Sequence, residues 1–280
     1  MIFSKAIGVL LEEKMYKLIA VDMDGTLLNE KKEISKRSLK AIYRLKEKGK
    51  KLVLATGRPL NGVMRYIEKL NLYDENDYVV AFNGALVQST KSKEIIYNKP
   101  LSLSAYKELY KLSLELGVNI HALTDQSVLT PKNNPFTQIE SSINQIPIIE
   151  GAVEEIDAST IIVKVMFVDE PDKLDEIIPK LPASIKNKYT ILRSAPYFLE
   201  FLDKTVNKGT GVSAVATQLG LNREEVICVG DAGNDLDMIR YAGLGVAMGN
   251  AFEEIKSEAD YVTYSNEEDG VAYVIEEFML

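Results

Sequence analysis

Two carboxylates stand two residues apart in Asp22-Met23-Asp24-Gly25-Thr26, directly behind the apolar run 18–21. Residues i and i+2 of an extended chain share a face, so both acids can reach into one small volume. Their repulsion is costly unless a cation sits there or one carboxyl keeps its proton. Either condition suits catalysis by a metal-bound nucleophile beside a general acid. Gly25 lets the chain turn sharply at that point. The plainer reading is an Asp-rich turn capping a helix, and the buried run in front of both acids weighs against it.

A second acidic set, Gly230-Asp231-Ala232-Gly233-Asn234-Asp235, follows the apolar run 226–229. Hard oxygen donors in low number suit Mg²⁺, which keeps waters and binds phosphates. The bland alternative is an ordinary Gly/Asn/Asp turn. Thr56-Gly57-Arg58-Pro59 offers a hydroxyl and backbone N–H groups at an expected helix N-terminus, which would make an anion site. Simple helix capping, with Pro59 early in the helix, explains the same residues. Lys208, in Asn207-Lys208-Gly209-Thr210-Gly211, opposes the dipole of the helix it starts. It needs a bound phosphate or a nearby carboxylate, unless it is merely solvated.

These residues need a scaffold that brings them to one place. The runs 18–21, 52–55, 79–82, 226–229 and 244–248 are apolar without alternation and end in polar loops, most of them Gly-containing. Such runs read as strands buried on both faces, as in a parallel sheet. Residues 35–48 carry Leu39, Ile42 and Leu45 at helical spacing and stop at Gly49; residues 210–219 stop at Gly220. Strands alternating with helices imply an α/β, doubly wound, Rossmann-like core, whose ligands bind beyond the carboxyl ends of the strands. Asp22, Asp24, Thr56, Asn83, Asp231 and Asn234 all fall at those ends.

Residues 99–199 lack this pattern. Helices are expected over 102–116 and 172–181, and strands over 161–168, 189–193 and 197–203, the last two as a hairpin. A hundred residues is too long for a structureless loop, so an inserted α+β domain is expected between core parts 15–98 and 200–280.

The chain has 280 residues, a net charge of −8, one Cys and one His. These counts exclude an internal disulfide framework and His- or Cys-rich zinc sites. The acidic balance argues against nucleic acid as a partner. No apolar run approaches a membrane span. A soluble, cytoplasmic protein is expected, as monomer or homodimer.

In order, the four sets Asp22-x-Asp24-Gly25-Thr26, Thr56-Gly57-Arg58, Lys208-Gly209 and Gly230-Asp231-x-x-Asn234-Asp235 resemble the haloacid dehalogenase-like superfamily of phosphoryl-transfer enzymes. Only about thirty residues separate Asp24 from Thr56, too few for a cap domain, whereas the gap from Asn83-Gly84 to Lys208 fits the type-two cap. The layout is similar to that of the Cof-type phosphatases. The resemblance implies a Mg²⁺-dependent phosphatase of small phosphorylated metabolites, sugar phosphates first. It makes Asp22 the nucleophile that becomes an aspartyl-phosphate and Asp24 the general acid and base. It assigns Mg²⁺ to the Asp22 carboxylate, the Asp24 carbonyl and Asp231, with Asp235 in support. It gives the phosphoryl oxygens to Thr56, Gly57, Lys208, Asn234 and the Met23 backbone N–H. The alternatives are a phosphomutase of the phosphomannomutase type and a non-catalytic regulatory protein on the same fold; the intact repulsive charges argue against the latter.

Other features carry less. Gly209-Thr210-Gly211-Val212-Ser213-Ala214 fits a loose dinucleotide pattern but is separated from the preceding strand by residues 204–208. Cys228 reads as a buried small hydrophobe, His121 as structural or at the surface, and Glu267-Glu268-Asp269 as a solvated loop. Residues 1–14 match no motif. Leu11-Glu12-Glu13-Lys14-Met15 could be encoded by a ribosome-binding site ahead of a start codon, so the chain is expected to begin naturally at Met15. The competing reading is a short docked helix over 5–14.

Overall fold

The computed structural model describes residues 16–124 and 126–280. The expectations for residues 1–14, and for a start at Met15, lie outside the described residues.

Two sheets organise the chain. The larger has eight strands among the described residues, in the order Tyr261–Val262, Leu244–Ala247, Val226–Gly230, Leu18–Val21, Lys51–Ala55, Tyr78–Ala81, Leu86–Ser89 and Ile95–Asn98. The first six run parallel; the last two join through antiparallel pairings. In the central strand Leu18, Ile19, Ala20 and Val21 are all fully buried. Ile19 and Val21 pack with Ile42, Leu45 and Ile275 on one face, while Leu18 and Ala20 pack with Val212, Val215 and Cys228 on the other. Burial on both faces is why these runs do not alternate. Cys228 is indeed an interior small hydrophobe.

The helix Lys36–Glu47 is capped by Ser35, whose hydroxyl accepts from Ser38 N. Burial of Ala41, Ile42 and Leu45 fixes its inner face. The helix expected from residue 210 begins earlier, at Lys208, and runs to Gln218. Asn207 sets that start: its side chain accepts from Thr210 N, and the Thr210 hydroxyl closes a reciprocal capping box. Gly209 and Gly211 explain the loose dinucleotide pattern differently. A Cβ on Gly209 would lie 2.6 Å from the Asp237 carbonyl oxygen, and one on Gly211 would lie 2.5 Å from Val80. Gly211 lets this helix press onto the sheet, and Gly209 lets it press onto the helix Leu236–Tyr241.

The antiparallel edge was not foreseen. Polar Gln88 interrupts the first of its strands and Ile95 in the second is 43% exposed, so they lack the continuous buried run that marks the others.

The second sheet has six strands among the described residues, ordered Tyr189–Ala195, Phe198–Asp203, Lys164–Val168, Asn119–Leu123, Val128–Thr130 and Ile148–Glu150. The hairpin expected near 189–203 is present, with Tyr189 opposite Asp203. That strand stays in the second sheet to Asp203, so a division at residue 199 falls inside a hydrogen-bonded strand. The strand expected from residue 161 starts at Lys164, and the helix expected over 172–181 is Pro171–Ile177. The helix Leu103–Leu116, capped by Ser102 and ended by left-handed Gly117, packs its Tyr106 and Leu109 into this sheet's own core of Phe167, Phe201 and Val165. No helix among the described residues is long and apolar enough to cross a membrane.

Candidate active site

The loops behind Leu18–Val21, Lys51–Ala55, Tyr78–Ala81 and Val226–Gly230 meet at one end of the large sheet. Asp22 N donates to Val229 O at 3.0 Å, carrying the strand pairing one residue into the loop. Thr56 N bonds Val80 O and Asn83 N bonds Thr56 O, which laces the next two loops together.

Lys208 occupies the centre. Its side chain is fully buried, and Nζ donates to Asp22 Oδ1 at 2.5 Å and to Asp235 Oδ1 at 2.6 Å. This is the carboxylate partner that its unfavourable helix position demanded. Asp235 Oδ2 accepts from the backbone N–H groups of Asp231 and Ala232 at 2.9 and 3.0 Å. Both Asp235 oxygens are therefore committed to holding the loop and the lysine. Asp231 Oδ1 accepts from Thr26 Oγ1 at 2.8 Å. Asp22, Asp231 and Asp235 each place an oxygen within 4.8 Å of the others.

Charge is unbalanced here, with three carboxylates facing one ammonium. Burial pushes the Asp22 pKa up to about 8, with Asp235 and Asp231 adding to the rise and Lys208 opposing it. Burial also lifts Asp231, to about 6, while its bond from Thr26 works the other way. At Lys208 burial disfavours the charge, yet Asp22 and Asp235 outweigh it and hold the ammonium above the usual lysine range. With all three carboxyls ionised the cluster lacks two positive charges, and its oxygens are all hard ligands. Those two properties fit a divalent cation such as Mg²⁺.

Gly25 sits at φ +86°, and a Cβ there would lie 2.4 Å from Asp231 Oδ2. Gly25→Ala is expected to lower stability by about 1–2 kcal/mol and to displace Asp231. Urea denaturation and steady-state rates check both effects.

Asp24 departs from the expected arrangement. It lines the same cavity as Asp22, but its carboxylate is turned to Arg58 and Lys32. Arg58 grips it through Nε at 2.8 Å and Nη2 at 2.7 Å, and Lys32 Nζ donates at 2.8 Å. Burial works against the charged form, but the bonds from Arg58 and Lys32 prevail and hold Asp24 below the usual carboxylate range. The planar guanidinium matches both carboxylate oxygens, which a spacing argument could not register.

Thr56 is buried, and its Oγ1 accepts from Arg58 N at 3.1 Å. The expected helix directly behind it is absent. A short 3₁₀ turn, Leu60–Gly62, intervenes, and the helix Met64–Lys69 starts later. Anion binding here would rest on the Thr56 hydroxyl and loop backbone. Gly57 packs against the side-chain amide of Asn83. Asn83 is buried at φ 56° and accepts from Asn234 Nδ2 at 2.9 Å. The Met23 side chain is in the core, so only its backbone faces the loop.

Thr26, Lys32 and the Arg58 side chain carried no role in the sequence reading, and Asn83 was placed without one. The Asn83-Gly84 pair was the available signal, since asparagine tolerates the left-handed region better than other non-glycine residues. His121 is fully buried in the second sheet, beside Thr137 Oγ1 at 3.0 Å. Burial, with Lys164 nearby, pushes its pKa down to about 3, so it stays neutral and structural.

A cavity of about 760 Å³ lies between the two sheets. The large sheet's loops line it with Asp22, Asp24, Thr56, Arg58, Asn83 and Asn234. The second sheet adds Lys164, Arg193, Ser194 and Glu200, the turn of its hairpin adds Tyr197, and the helix Pro135–Asn144 adds Glu140.

Comparison with known proteins gives a consistent answer. A family model for haloacid dehalogenase-like hydrolases matches residues 19–275. A Bacillus subtilis protein named "Putative phosphatase YxeH" is 45% identical over 268 residues, 95% of this chain and 99% of that one. The crystal structure of a haloacid dehalogenase-like hydrolase from Bacteroides thetaiotaomicron superposes with a TM-score of 0.82 at 37% identity, covering 93% of this chain and 98% of that chain. The structure of a subclass IIB sugar phosphatase, BT4131, is 28% identical with a TM-score of 0.76, covering 94% of this chain and 98% of that one.

Proposed function

The chain belongs to the haloacid dehalogenase-like hydrolases, in their Cof-type group with a type-two cap, and is a phosphoric monoester hydrolase; from this premise we propose that it is a Mg²⁺-dependent phosphatase of small phosphorylated metabolites that works through a phosphorylated Asp22. The observation that carries this reading is the buried cluster of Asp22, Asp231 and Asp235 around Lys208, two positive charges short and opening into a walled cavity. Sugar phosphates are the favoured substrates. The cavity, about 760 Å³, is of small-molecule size, and a structural relative is a sugar phosphatase.

The roles follow from position. Mg²⁺ would be held by Asp22, Asp231 and the Asp24 carbonyl. When bound it supplies charge neutralisation to the phosphoryl group and to the clustered carboxylates. Asp235 supports the site, because both its oxygens already accept. Asp22 attacks phosphorus as the bond to the leaving oxygen breaks. Asp24 gives that oxygen a proton, then takes one from the water that attacks the phosphorylated Asp22, releasing inorganic phosphate. For the first proton transfer the Arg58 and Lys32 bonds that hold Asp24 as a carboxylate must be released and Asp24 must first take up a proton from solvent; the proton it later takes from the attacking water restores this acid form. Lys208, Thr56, Gly57, Asn234 and the Met23 N–H receive the phosphoryl oxygens, which is positioning and electrostatic work.

In this reading the catalytic core comprises residues 16–98 and 204–280 and the cap residues 99–203, the expected division at 199 moving to the end of the cap-sheet strand at Asp203. The cap closes over the core to exclude all but the attacking water. The protein is cytoplasmic, as monomer or homodimer.

Metal dependence provides the test. Chelation with EDTA is expected to abolish phosphate release and Mg²⁺ to restore it. Ca²⁺, with looser and larger coordination, should restore it poorly. Full hydrolysis in excess EDTA would overturn the assignment.

A further inference from the structure

Resting on the phosphatase reading, we propose that Glu200, Lys164 and Ser194 form a hydroxyl-reading site that selects a polyol or sugar leaving group. Lys164 and Glu200 are side chains of the second sheet, only 3% and 4% exposed, yet both line the cavity. Strand positions this deep normally take apolar residues. Lys164 Nζ lies 2.7 Å from Glu200 Oε1 and 3.4 Å from Glu140 Oε1. Ser194 Oγ donates to the same Glu200 Oε1 at 2.7 Å. Glu200 Oε2 is buried without any partner. A fully satisfied structural ion pair would leave no such oxygen, since buried polar atoms in folded proteins are nearly always bonded.

The pattern of what is used and what is left defines the ligand. Glu200 Oε2 needs a donor. Lys164 has three N–H groups and two carboxylate neighbours, so it can still donate to an acceptor. Glu140, Glu200 and Lys164 together carry one net negative charge. Arg193 lines the same cavity with a buried Nη1 that has no partner among the described residues, so a carboxylate or second phosphate could accept there, but neither can donate to Oε2. An ammonium could donate to Oε2 but cannot accept from Lys164, which repels it. An apolar or simple aromatic group satisfies neither. A hydroxyl donates and accepts at one oxygen, and a vicinal diol does so at two adjacent ones. Placed in the same cavity as Asp22, these groups would read the alcohol part of a polyhydroxylated phosphate monoester.

The experiment compares kcat/KM for glucose 6-phosphate and sorbitol 6-phosphate with that for p-nitrophenyl phosphate, whose leaving group bears no alcohol hydroxyl. Wild type should prefer the polyol esters to phosphoethanolamine and 3-phosphoglycerate. Glu200→Gln keeps the volume but replaces the acceptor Oε2 or pairs it wrongly. It should lower the ratio of polyol ester to p-nitrophenyl phosphate by at least about tenfold, mainly through KM. A smaller change in that ratio overturns the proposal, as does a wild type preferring the ammonium or carboxylate ester. If Glu200→Gln does not fold by circular dichroism, Ser194→Ala, at an exposed position, serves instead. It should lower the ratio by at least about threefold, and a smaller change is again contrary. Wild type that hydrolyses none of these esters would defeat the phosphatase reading itself. Wild type that hydrolyses p-nitrophenyl phosphate, with a ratio unmoved by the variants, defeats only the hydroxyl-reading site.

Discussion

Asp22→Asn is expected to reduce phosphate release at least about ten-thousandfold while leaving the chain folded. An amide is not a nucleophile toward phosphorus and is a poor ligand for a hard cation. The fold should tolerate the change because Asp22 sits in a cluster with too much negative charge. Burial and its acidic neighbours already raise its pKa to about 8, so a neutral isostere relieves repulsion. Lys208 keeps Asp235 as its partner at 2.6 Å. In EDTA, the melting temperature of Asp22→Asn should equal or exceed that of wild type. A variant with wild-type turnover would remove Asp22 from the chemistry. One that loses activity because it unfolds would contradict the electrostatic account of the cluster.

Lys208→Met should show the opposite balance, a heavy loss of both stability and rate. The ammonium is fully buried and holds two carboxylates. Removing one partner of such a set strands uncompensated charge and costs about 3–5 kcal/mol. Its loss as a phosphate-binding cation should lower turnover by about a hundredfold to a thousandfold. Mg²⁺ should recover part of the stability, because it too neutralises Asp22 and Asp231. Denaturant unfolding with and without Mg²⁺ reads both effects, and a variant as stable as wild type in EDTA would contradict the electrostatic account.

Much of this architecture was legible because burial leaves a simple mark. Strands such as Leu18–Val21 and Val226–Gly230 bury both faces, so they appear as unbroken apolar runs with polar loops at their ends. Lys208 was legible through energetics, since a lysine opening a helix needs a compensating partner, and Asp22 and Asp235 are there. Features set by side-chain geometry were not legible. The grip of Arg58 on Asp24 depends on the loop path between Thr56 and Met64, where an expected helix is replaced by a 3₁₀ turn. The contact of Asn83 with Asn234 joins residues far apart in sequence. The cap strands Val128–Thr130 and Ile148–Glu150 are three residues each, too short for any periodicity to register. The end of the cap sheet at Asp203 depends on pairing with Tyr189, which no composition shift announces.

Covalent phosphorylation of Asp22 is the claim on which the rest turns, and it can be observed directly. Wild-type protein with Mg²⁺ and a rapidly hydrolysed phosphate ester is quenched during turnover and reduced with borohydride, which converts an acyl phosphate to the corresponding alcohol. Peptide mass mapping should then find homoserine at position 22 and nowhere else, with none in Asp22→Asn or in the absence of substrate. Reduction at a different aspartate during full turnover, or turnover with no reducible carboxyl at position 22, would contradict the account.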